Sequence, residues 1–464
     1  MSNVENKNFC SLRLMGILKF NMKPYPQDTI AAIATPIGEG GIGIIRISGP
    51  DSLKILQKLL KITKRPTSHR VYYSKMFHVK HFWDKAPRSY TGEDVAEVHC
   101  HGGVGVLRAI LSQIVGLGAR LAERGEFTKR AFLNGKIDLA QAEAVLGLIK
   151  GKSGIFVEQS TRQLKGHLSE KINALYDRAI ALIAAIEASI DFSDEIGSVS
   201  PRRLEKEILG ILKIIDSYLA TAEAGKILRE GVRTAIIGAP NVGKSTLLNV
   251  LLGEERAIVT KHPGTTRDTL EEQLSIGDVV LKITDTAGIR EAVCEIEKAG
   301  IERAKSEIDR ADLILFVLDA SSKISRQEKV LLGKLKGRAV IIVANKIDLG
   351  VRGLAGKEIG RVVKVSLING KGVGGLKRVI LKVVLGKGIA NDADVILLTA
   401  RHKECLLRAK ESLSRGLQSI KIKQPVDLLT IDLRDAAAAL GEVTGKAVTE
   451  QVLDKVFGEF CVGK

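Results

Sequence analysis

Short apolar runs that suit strands alternate with longer stretches of helical periodicity over most of the chain. Residues 29–47 read as strand, glycine-rich loop and strand, with the loop over 35–43. A helix is predicted over 51–60, with leucines and isoleucine on one face. A strand follows over 94–101 and a helix over 104–117. This alternation predicts a compact α/β domain ending near residue 140. From residue 139 to about 190 the pattern turns helical and rich in Ala and Leu. Gly197 to Pro201 interrupts it, and an apolar helical stripe resumes over 204–224. The buried-strand pattern returns over 234–238, 279–284, 340–344 and 362–365, and helical periodicity again after Asn391. The arrangement predicted is an α/β domain at 28–140, a helical domain split into 141–227 and 389–464, and a second α/β domain at 228–388 inserted between the halves. Gly- and Asn-containing segments such as 386–391 suit the crossing points. Residues 1–27 read as an extension without a signal-peptide core.

Composition narrows the partners. The net charge is +18, with 71 Lys and Arg against 53 Asp and Glu. That excess favours a polyanion such as RNA, and the run from Lys61 to Arg65 and the cations Arg120, Arg124, Lys129 and Arg130 contribute to it. Aromatic residues make up only 4%, too few for base stacking to be the main device. The five cysteines are scattered and odd in number, which points to a reducing, cytoplasmic setting and not to a disulfide framework. His99, Cys100 and His101 crowd potential metal ligands together. Successive residues of a strand face opposite ways, however, which argues against a metal site there. No apolar run reaches the length of a membrane span.

Four motifs in the inserted domain carry chemistry. GAPNVGKS, Gly238 to Ser245, follows a predicted strand and opens a predicted helix. In such a loop the backbone at Asn241, Val242 and Gly243 wraps phosphate, Lys244 reaches the β- and γ-phosphates, and the Ser245 hydroxyl binds Mg²⁺ with Thr246 behind it in the helix. A threonine pair, Thr265 and Thr266, lies between this loop and the next motif, and one of the two hydroxyls can complete the Mg²⁺ shell when GTP is bound. DTAG, Asp285, Thr286, Ala287 and Gly288, ends another strand and suits Mg²⁺ through water and a backbone N–H on the γ-phosphate. NKID, with Asn345, Lys346 and Asp348, follows the third strand. The Asp348 carboxylate can accept from both N1–H and the 2-amino group of guanine, which adenine does not offer. Ser366 and Leu367 fall where a third base-contacting loop is expected.

With these motifs in view, the whole chain resembles the MnmE (TrmE) family of tRNA-modification GTPases. Besides the GTPase motifs, the resemblance rests on DTIAAIATP from Asp28, GIGIIRISG from Gly41, SYTGED from Ser89, HCHGG from His99, GEFTKRAFLN from Gly125, DLAQAE from Asp138 and the FCVGK tail from Phe460. It implies a multidomain fold: an N-terminal α/β folate-binding domain, a discontinuous all-α helical domain and an inserted P-loop, Ras-like GTPase domain. It also implies a homodimer formed through the N-terminal domains and a heterotetramer with an MnmG-type flavoprotein carrying FAD. Together these install an aminomethyl or carboxymethylaminomethyl group at C5 of the wobble uridine of certain tRNAs, with the one-carbon unit drawn from 5-formyl- or methylene-tetrahydrofolate. By motif matching, Arg46, Glu97, Lys136 and Lys464 fall on the folate-binding positions, and Cys461 on a terminal cysteine implied to act in modification. A GTPase switch that docks on ribosome or RNA without modification chemistry is the alternative, and the folate-type motifs argue against it.

The resemblance also bears on hydrolysis. Many GTPases orient the attacking water with a Gln after the DxxG glycine, but here that residue is Ile289. The family implies instead a K⁺ ion held by Asn241, with Thr260, His262 and Thr265 completing its shell, Thr266 going to Mg²⁺, and Glu297 orienting the water. The loop Thr260, Lys261, His262, Pro263 and Gly264 then joins the nucleotide contacts, and dimerisation of the GTPase domains orders it. The stretch between Arg65 and Ser89 is short for the family, so a trimmed hairpin is expected at that edge of the N-terminal sheet.

Overall fold

The computed structural model describes residues 27–74, 79–151, 153–192, 197, 199–254, 272–277, 279–283, 308–352, 361–385 and 398–464. These fall into two compact units. One combines the chain up to Leu146 with Arg162–Ile215 and Glu404–Lys464, and the other combines Gly147–Thr161 with Asp216–Lys403.

The first unit contains a six-stranded sheet of β1 (Ile30–Ile33), β2 (Gly43–Ser48), β3 (Arg70–Ser74), β4 (Val79–Asp84), β5 (Val95–Cys100) and β6 (Arg120–Leu121). The order is β3-β4-β5-β2-β1-β6. Every pairing is antiparallel except β1 with β6. Alternation along the strands gives the sheet two different faces. Ala31, Ile45, Ile47, Ala96, Val98 and Cys100 form one apolar layer, which packs on Ile55, Leu56, Leu59 and Leu60 of helix α1 (Ser52–Leu60) and on Leu107, Ile110 and Ile114 of α2 (Val104–Gly116). Each such large side chain removed from water contributes about 1.5–3 kcal/mol. The opposite face carries Arg46 and Glu97, directly paired across β2 and β5. At the edge where a trimmed hairpin is expected, β3 and β4 pair over five positions, and β4 continues onto β5.

Helices α3 (Glu126–Leu133), α4 (Leu139–Lys150), α5 (Gly154–Leu164), α6 (His167–Asp191) and α7 (Pro201–Glu230) follow in the chain. Arg130 of α3 is wholly buried yet bonded. Its guanidinium donates to Asp28 Oδ1 at 2.6 Å, Glu93 Oε2 at 3.0 Å and Glu126 Oε1 at 3.1 Å. Arg120 closes on Asp28 and Glu126, each at 2.7 Å. A buried charge costs several kcal/mol unless paired, and this network ties α3 to the start of β1, to β6 and to the 89–94 loop.

The second unit holds a sheet of β7 (Val232–Gly238), β8 (Glu272–Ile276), β9 (Val279–Ile283), β10 (Leu313–Asp319), β11 (Val340–Asn345) and β12 (Arg361–Lys364), in the order β12-β11-β10-β7-β9-β8. All pairs are parallel except β8 with β9. Its helices include α8 (Lys244–Glu254), α9 (Arg326–Lys334) and α10 (Val373–Leu385). The chain leaves β7 toward β9 on one side and later returns to β10 on the other, so the carboxyl end of β7 lies at the topological switch point where open α/β sheets bind ligands. The central strand β10, buried through Leu313–Leu318, is not among the strands expected from the sequence.

In the last third, α11 (Ala400–Lys421), α12 (Val426–Thr444) and α13 (Glu450–Gly458) complete the helices. α12 packs along α6, joining Leu429, Leu433, Ala436 and Leu440 to the stripe of Leu168, Ile172, Leu175, Ala179 and Ile183. α13 buries Leu453 and Phe457, with Phe460 beyond it, against Leu139 and Ala142 of α4.

Replacing Arg130 with Met should leave Asp28, Glu93 and Glu126 short of their common partner and cost about 3–5 kcal/mol. The expected readout is a lower first thermal transition and lost amide-exchange protection in β1 and α3. The pH dependence has a definite sign. Burial opposes the Asp28 carboxylate, but Arg120 and Arg130 outweigh it and hold its pKa below the ordinary 3.8. A depressed carboxyl contributes stability that is full above its unfolded value and fades as pH falls through the folded one. The network should therefore weaken only on acidification below 3.8, and the variant should show less of that acid loss.

Candidate functional site

The phosphate-binding segment leaves β7 at Gly238 and enters α8 at Lys244. Asn241 takes a left-handed conformation at φ 61°, and Gly243 lies at φ 103°. A Cβ on Gly243 would run into the Asn345 amide, so only glycine lets the loop pass there. The Lys244 ammonium donates to the carbonyls of Gly238 at 3.0 Å and Ala239 at 2.8 Å. Burial pushes its pKa down. Ser245 and Thr246 are exposed in the first turn of α8, at the positive end of the helix, where a phosphate is favoured.

The base side is built at the ends of β10 and β11. Asn345 is buried, donating from Nδ2 to Val242 O at 2.9 Å and accepting from Leu367 N–H at 3.1 Å. One amide thus joins the phosphate loop to the Ser366–Leu367 loop. Lys346 is left-handed at φ 65°, and its Nζ lies 2.7 Å from Asp319 Oδ2. Burial opposes the Asp319 carboxylate, but Lys346 and Ser321 overcome it and lower its pKa. Ser366 donates to Asp348 Oδ1 at 2.6 Å, holding the carboxylate expected to read guanine. Asp319 was missed by the sequence reasoning. The available signal was an acidic residue closing an apolar run that pairs in register with Asn345. Thr260, Lys261, His262, Pro263, Gly264, Thr265, Thr266, Asp285, Thr286, Ala287, Gly288, Ile289 and Glu297 lie outside the described residues.

A second cluster occupies the polar face of the first unit's sheet. Arg46 Nε donates to Glu97 Oε1 at 2.8 Å, and His99 Nε2 lies 2.9 Å from Glu97 Oε2. Residues 97 and 99 share a face by the two-residue period, while Cys100 turns into the apolar layer, its thiol on Gly43 O at 3.6 Å. Burial works against the Glu97 carboxylate, and His99 and Arg46 outweigh it, so its pKa is lowered. The Arg46 guanidinium lies 5.7 Å from the Tyr90 ring centre and 5.8 Å from that of Phe127. The C-terminal tail arrives at the same place. Val462 bridges to Arg124, Gly125 N–H donates to Cys461 O at 3.4 Å, and Arg46 donates to Gly463 O at 3.4 Å. Gly463 sits at φ 94°, where a Cβ would strike the Ile33 carbonyl. Lys464 is half-buried. Burial and Arg46 push its pKa down, while Glu97 and Cys461 act the other way.

Arg46, Glu97 and Lys464 are therefore brought together. Lys136 is not bonded to them. It donates to Pro87 O at 3.0 Å and lies against Gly92, on the same 89–94 loop that carries Tyr90. Cys461 is exposed beside the cluster. The donor set suits a flat, hydrogen-bonding heterocycle with carboxylates: Glu97 for N–H donors, cations for the acids and the half-exposed Tyr90 for the ring. His99, Tyr90 and Phe127 were not picked out for this site by sequence reasoning.

Comparison with known proteins places this geometry among relatives. Residues 29–136 match the family model described as the GTP-binding protein TrmE N-terminus. Residues 139–461 match the MnmE helical domain. A tRNA modification GTPase MnmE of Alkaliphilus metalliredigens is 44% identical over 461 residues, covering 94% of this chain and 99% of that protein. Proteins of the same description from Moorella thermoacetica and Clostridioides difficile are 42% and 43% identical, each over 94% of this chain, and 100% and 99% of their own length. Among solved structures, the G domain of the T. maritima FeoB iron transporter is 26% identical, covering 33% of this chain and 98% of that one at a TM-score of 0.23.

Asp348→Asn exchanges an acceptor for a donor at the base edge while the Ser366 hydroxyl can still bond it. Two charged hydrogen bonds at about 1.5–3 kcal/mol each are at stake. GTP affinity should fall by a factor of about 10² or more and xanthosine triphosphate binding should appear, as measured by displacement of a fluorescent nucleotide.

Proposed function

The chain belongs to the MnmE family of tRNA modification GTPases, and from that premise we propose how its parts divide the work. Residues 228–388 bind and hydrolyse GTP. Residues 28–140 bind a one-carbon tetrahydrofolate and dimerise. Residues 141–227 and 389–464 form the helical domain that delivers the tail. A homodimer joins an MnmG-type flavoprotein bearing FAD in a heterotetramer, in the cytoplasm, and modifies C5 of the wobble uridine of tRNA. No described helix is long and apolar enough to cross a membrane.

In hydrolysis a water oxygen attacks the γ-phosphorus and the bond to the β–γ bridging oxygen breaks, giving GDP and phosphate. The phosphate loop and Lys244 orient the triphosphate, and Asp348 holds guanine. Ser245 and Thr266 would hold Mg²⁺, which when bound draws charge off the phosphate oxygens. Asn241, Thr260, His262 and Thr265 would hold K⁺, and Glu297 would orient the water in place of the missing Gln. The position of Asn241 on the phosphate loop and of Ser245 in the first turn of α8 supports this reading for those two residues.

The observation that supports the one-carbon half is the meeting of Arg46, Glu97 and Lys464 under Tyr90 and Phe127. In this reading Glu97 stays ionised at neutral pH and accepts from the pterin N–H edge, while the cations take the glutamate carboxylates. Cys461, exposed beside them, is placed in the modification step. This cluster favours the reading over a switch that only docks on RNA.

Mass spectrometry of tRNA tests the proposal. Cells lacking the protein should lose the C5 modification, and the parent gene should restore it where a Lys244→Ala gene does not. Unchanged wobble uridines would sink the reading. Arg46→Ala should weaken 5-formyltetrahydrofolate binding by roughly 10–100-fold, the value of a charged hydrogen bond, with GTP affinity unchanged by calorimetry.

A further inference from the structure

From Ser52 to Trp83 the chain carries eight Lys and Arg and no Asp or Glu. With 71 Lys and Arg and 53 Asp and Glu in 464 residues, a stretch of that length averages about five cations and between three and four acids. A solvated helix face normally mixes both signs. This one does not. α1 buries Ile55, Leu56, Leu59 and Leu60 and turns Lys54 and Lys58 outward one helical turn apart. Lys61, left-handed at the end of α1, Lys64 and Arg65 continue the line and are exposed. Arg65 is seated on Trp83, 4.9 Å from the ring centre. α2 packs beside α1 on the same sheet face, exposes Arg108 and likewise carries no carboxylate. Asp51 is the acid that touches this line, 3.7 Å from Lys54 with both side chains more than half exposed, an arrangement worth little.

We propose that this ridge, Lys54, Lys58, Lys61, Lys64, Arg65 and Arg108 on the helix-covered face of the N-terminal sheet, binds the phosphate backbone of the tRNA substrate. The inference rests on the tRNA reading above and assigns it a surface. The ridge lies on the opposite side of the sheet from Arg46 and Glu97, so RNA held there leaves the folate-type cluster uncovered. Mobile lysines without an aromatic stacking array suit phosphates and shape, which is how folded RNA is mostly gripped. Base-specific reading is not expected of this surface.

The test replaces Lys54, Lys58, Lys64 and Arg108 together with Gln in the full chain and measures tRNA binding against salt. All four are exposed, so melting temperature and GTP hydrolysis should stay at parent values. Each lost phosphate contact should reduce the slope of log K against log salt by about 0.7–0.9, and affinity at moderate salt should fall at least about tenfold. A matched variant with Lys323, Lys329, Lys334 and Lys336 changed to Gln removes equal charge from the second unit and should bind tRNA like the parent. Equal losses in both variants would mean bulk charge and overturn the surface assignment. Unchanged affinity and slope in the first variant would also overturn it, leaving an acidic protein as the partner the ridge fits. If the parent chain itself does not bind tRNA, both this inference and the functional reading beneath it fail.

Discussion

The pleat of the N-terminal sheet is the constraint on which the rest of the first unit depends. Neighbouring residues on a strand must face opposite ways. Ile45 and Ile47 therefore enter the apolar layer while Arg46 between them faces away, and Val98 enters while Glu97 and His99 do not. A slip of one residue in β2 or β5 would push a guanidinium, a carboxylate and an imidazole into the layer under α1 and α2, with a penalty of several kcal/mol for each unpaired charge. Hydrophobic burial on one face thus fixes the register, and the register aligns Arg46 with Glu97 on the other. The buried Arg130 network works on the same face, gripping Asp28 ahead of β1 and Glu93 ahead of β5, so the strands that present the site are held at their entrances by paired charge.

In the second unit the equivalent economy lies in one amide. Asn345 uses its donor on the phosphate loop and its acceptor on the Ser366–Leu367 loop. Neither bond involves the nucleotide. Each backbone partner is buried, so replacing the amide would strand a donor or an acceptor at about 1–3 kcal/mol apiece. Asp319 does the same for Lys346, and Ser366 for Asp348. The side chains expected to meet guanine are oriented by protein partners, which would leave less ordering to be done when GTP arrives.

What was legible in the sequence follows from how far apart the cooperating residues lie. The phosphate loop and the NKID segment are local: a strand end, a glycine at positive φ and a helix start occupy a few consecutive residues, and each leaves its mark on residue type. The strands 234–238, 279–284 and 340–344 were legible as apolar runs close to their observed limits. β10 carries the same apolar signal over Leu313–Leu318, without an adjoining motif to mark it. The β3–β4 hairpin was obscured by polar and aromatic residues that suit an edge, where Val71 and Tyr73 are exposed. The folate-type cluster is the opposite case. Arg46 and Lys464 stand far apart in the chain, and no periodicity links them. Only the family resemblance placed them together. His99 stands beside Cys100 and His101 in the sequence, but its bond to Glu97 follows from the two-residue period of β5.

The tail connects these levels. Val462 pairs with Arg124, and Gly463 passes so close to Ile33 that no side chain fits. The residues just before it belong to the core that α13 shares with α4, through Phe457 and Phe460 on Leu139. Lys129 of α3 also reaches Asp454 of α13 at 2.9 Å. Lys464 is thus at the end of a short, anchored lever, not on a free terminus, and its half-buried ammonium lies within the field of Arg46 and Glu97. Two cations drawn together in a partly dry site repel one another, and Glu97 offsets part of that repulsion. An arrangement of that sign stabilises an anionic ligand more than the bare protein. An anion beside Lys464 would offset both the burial and the Arg46 repulsion that lower its basicity.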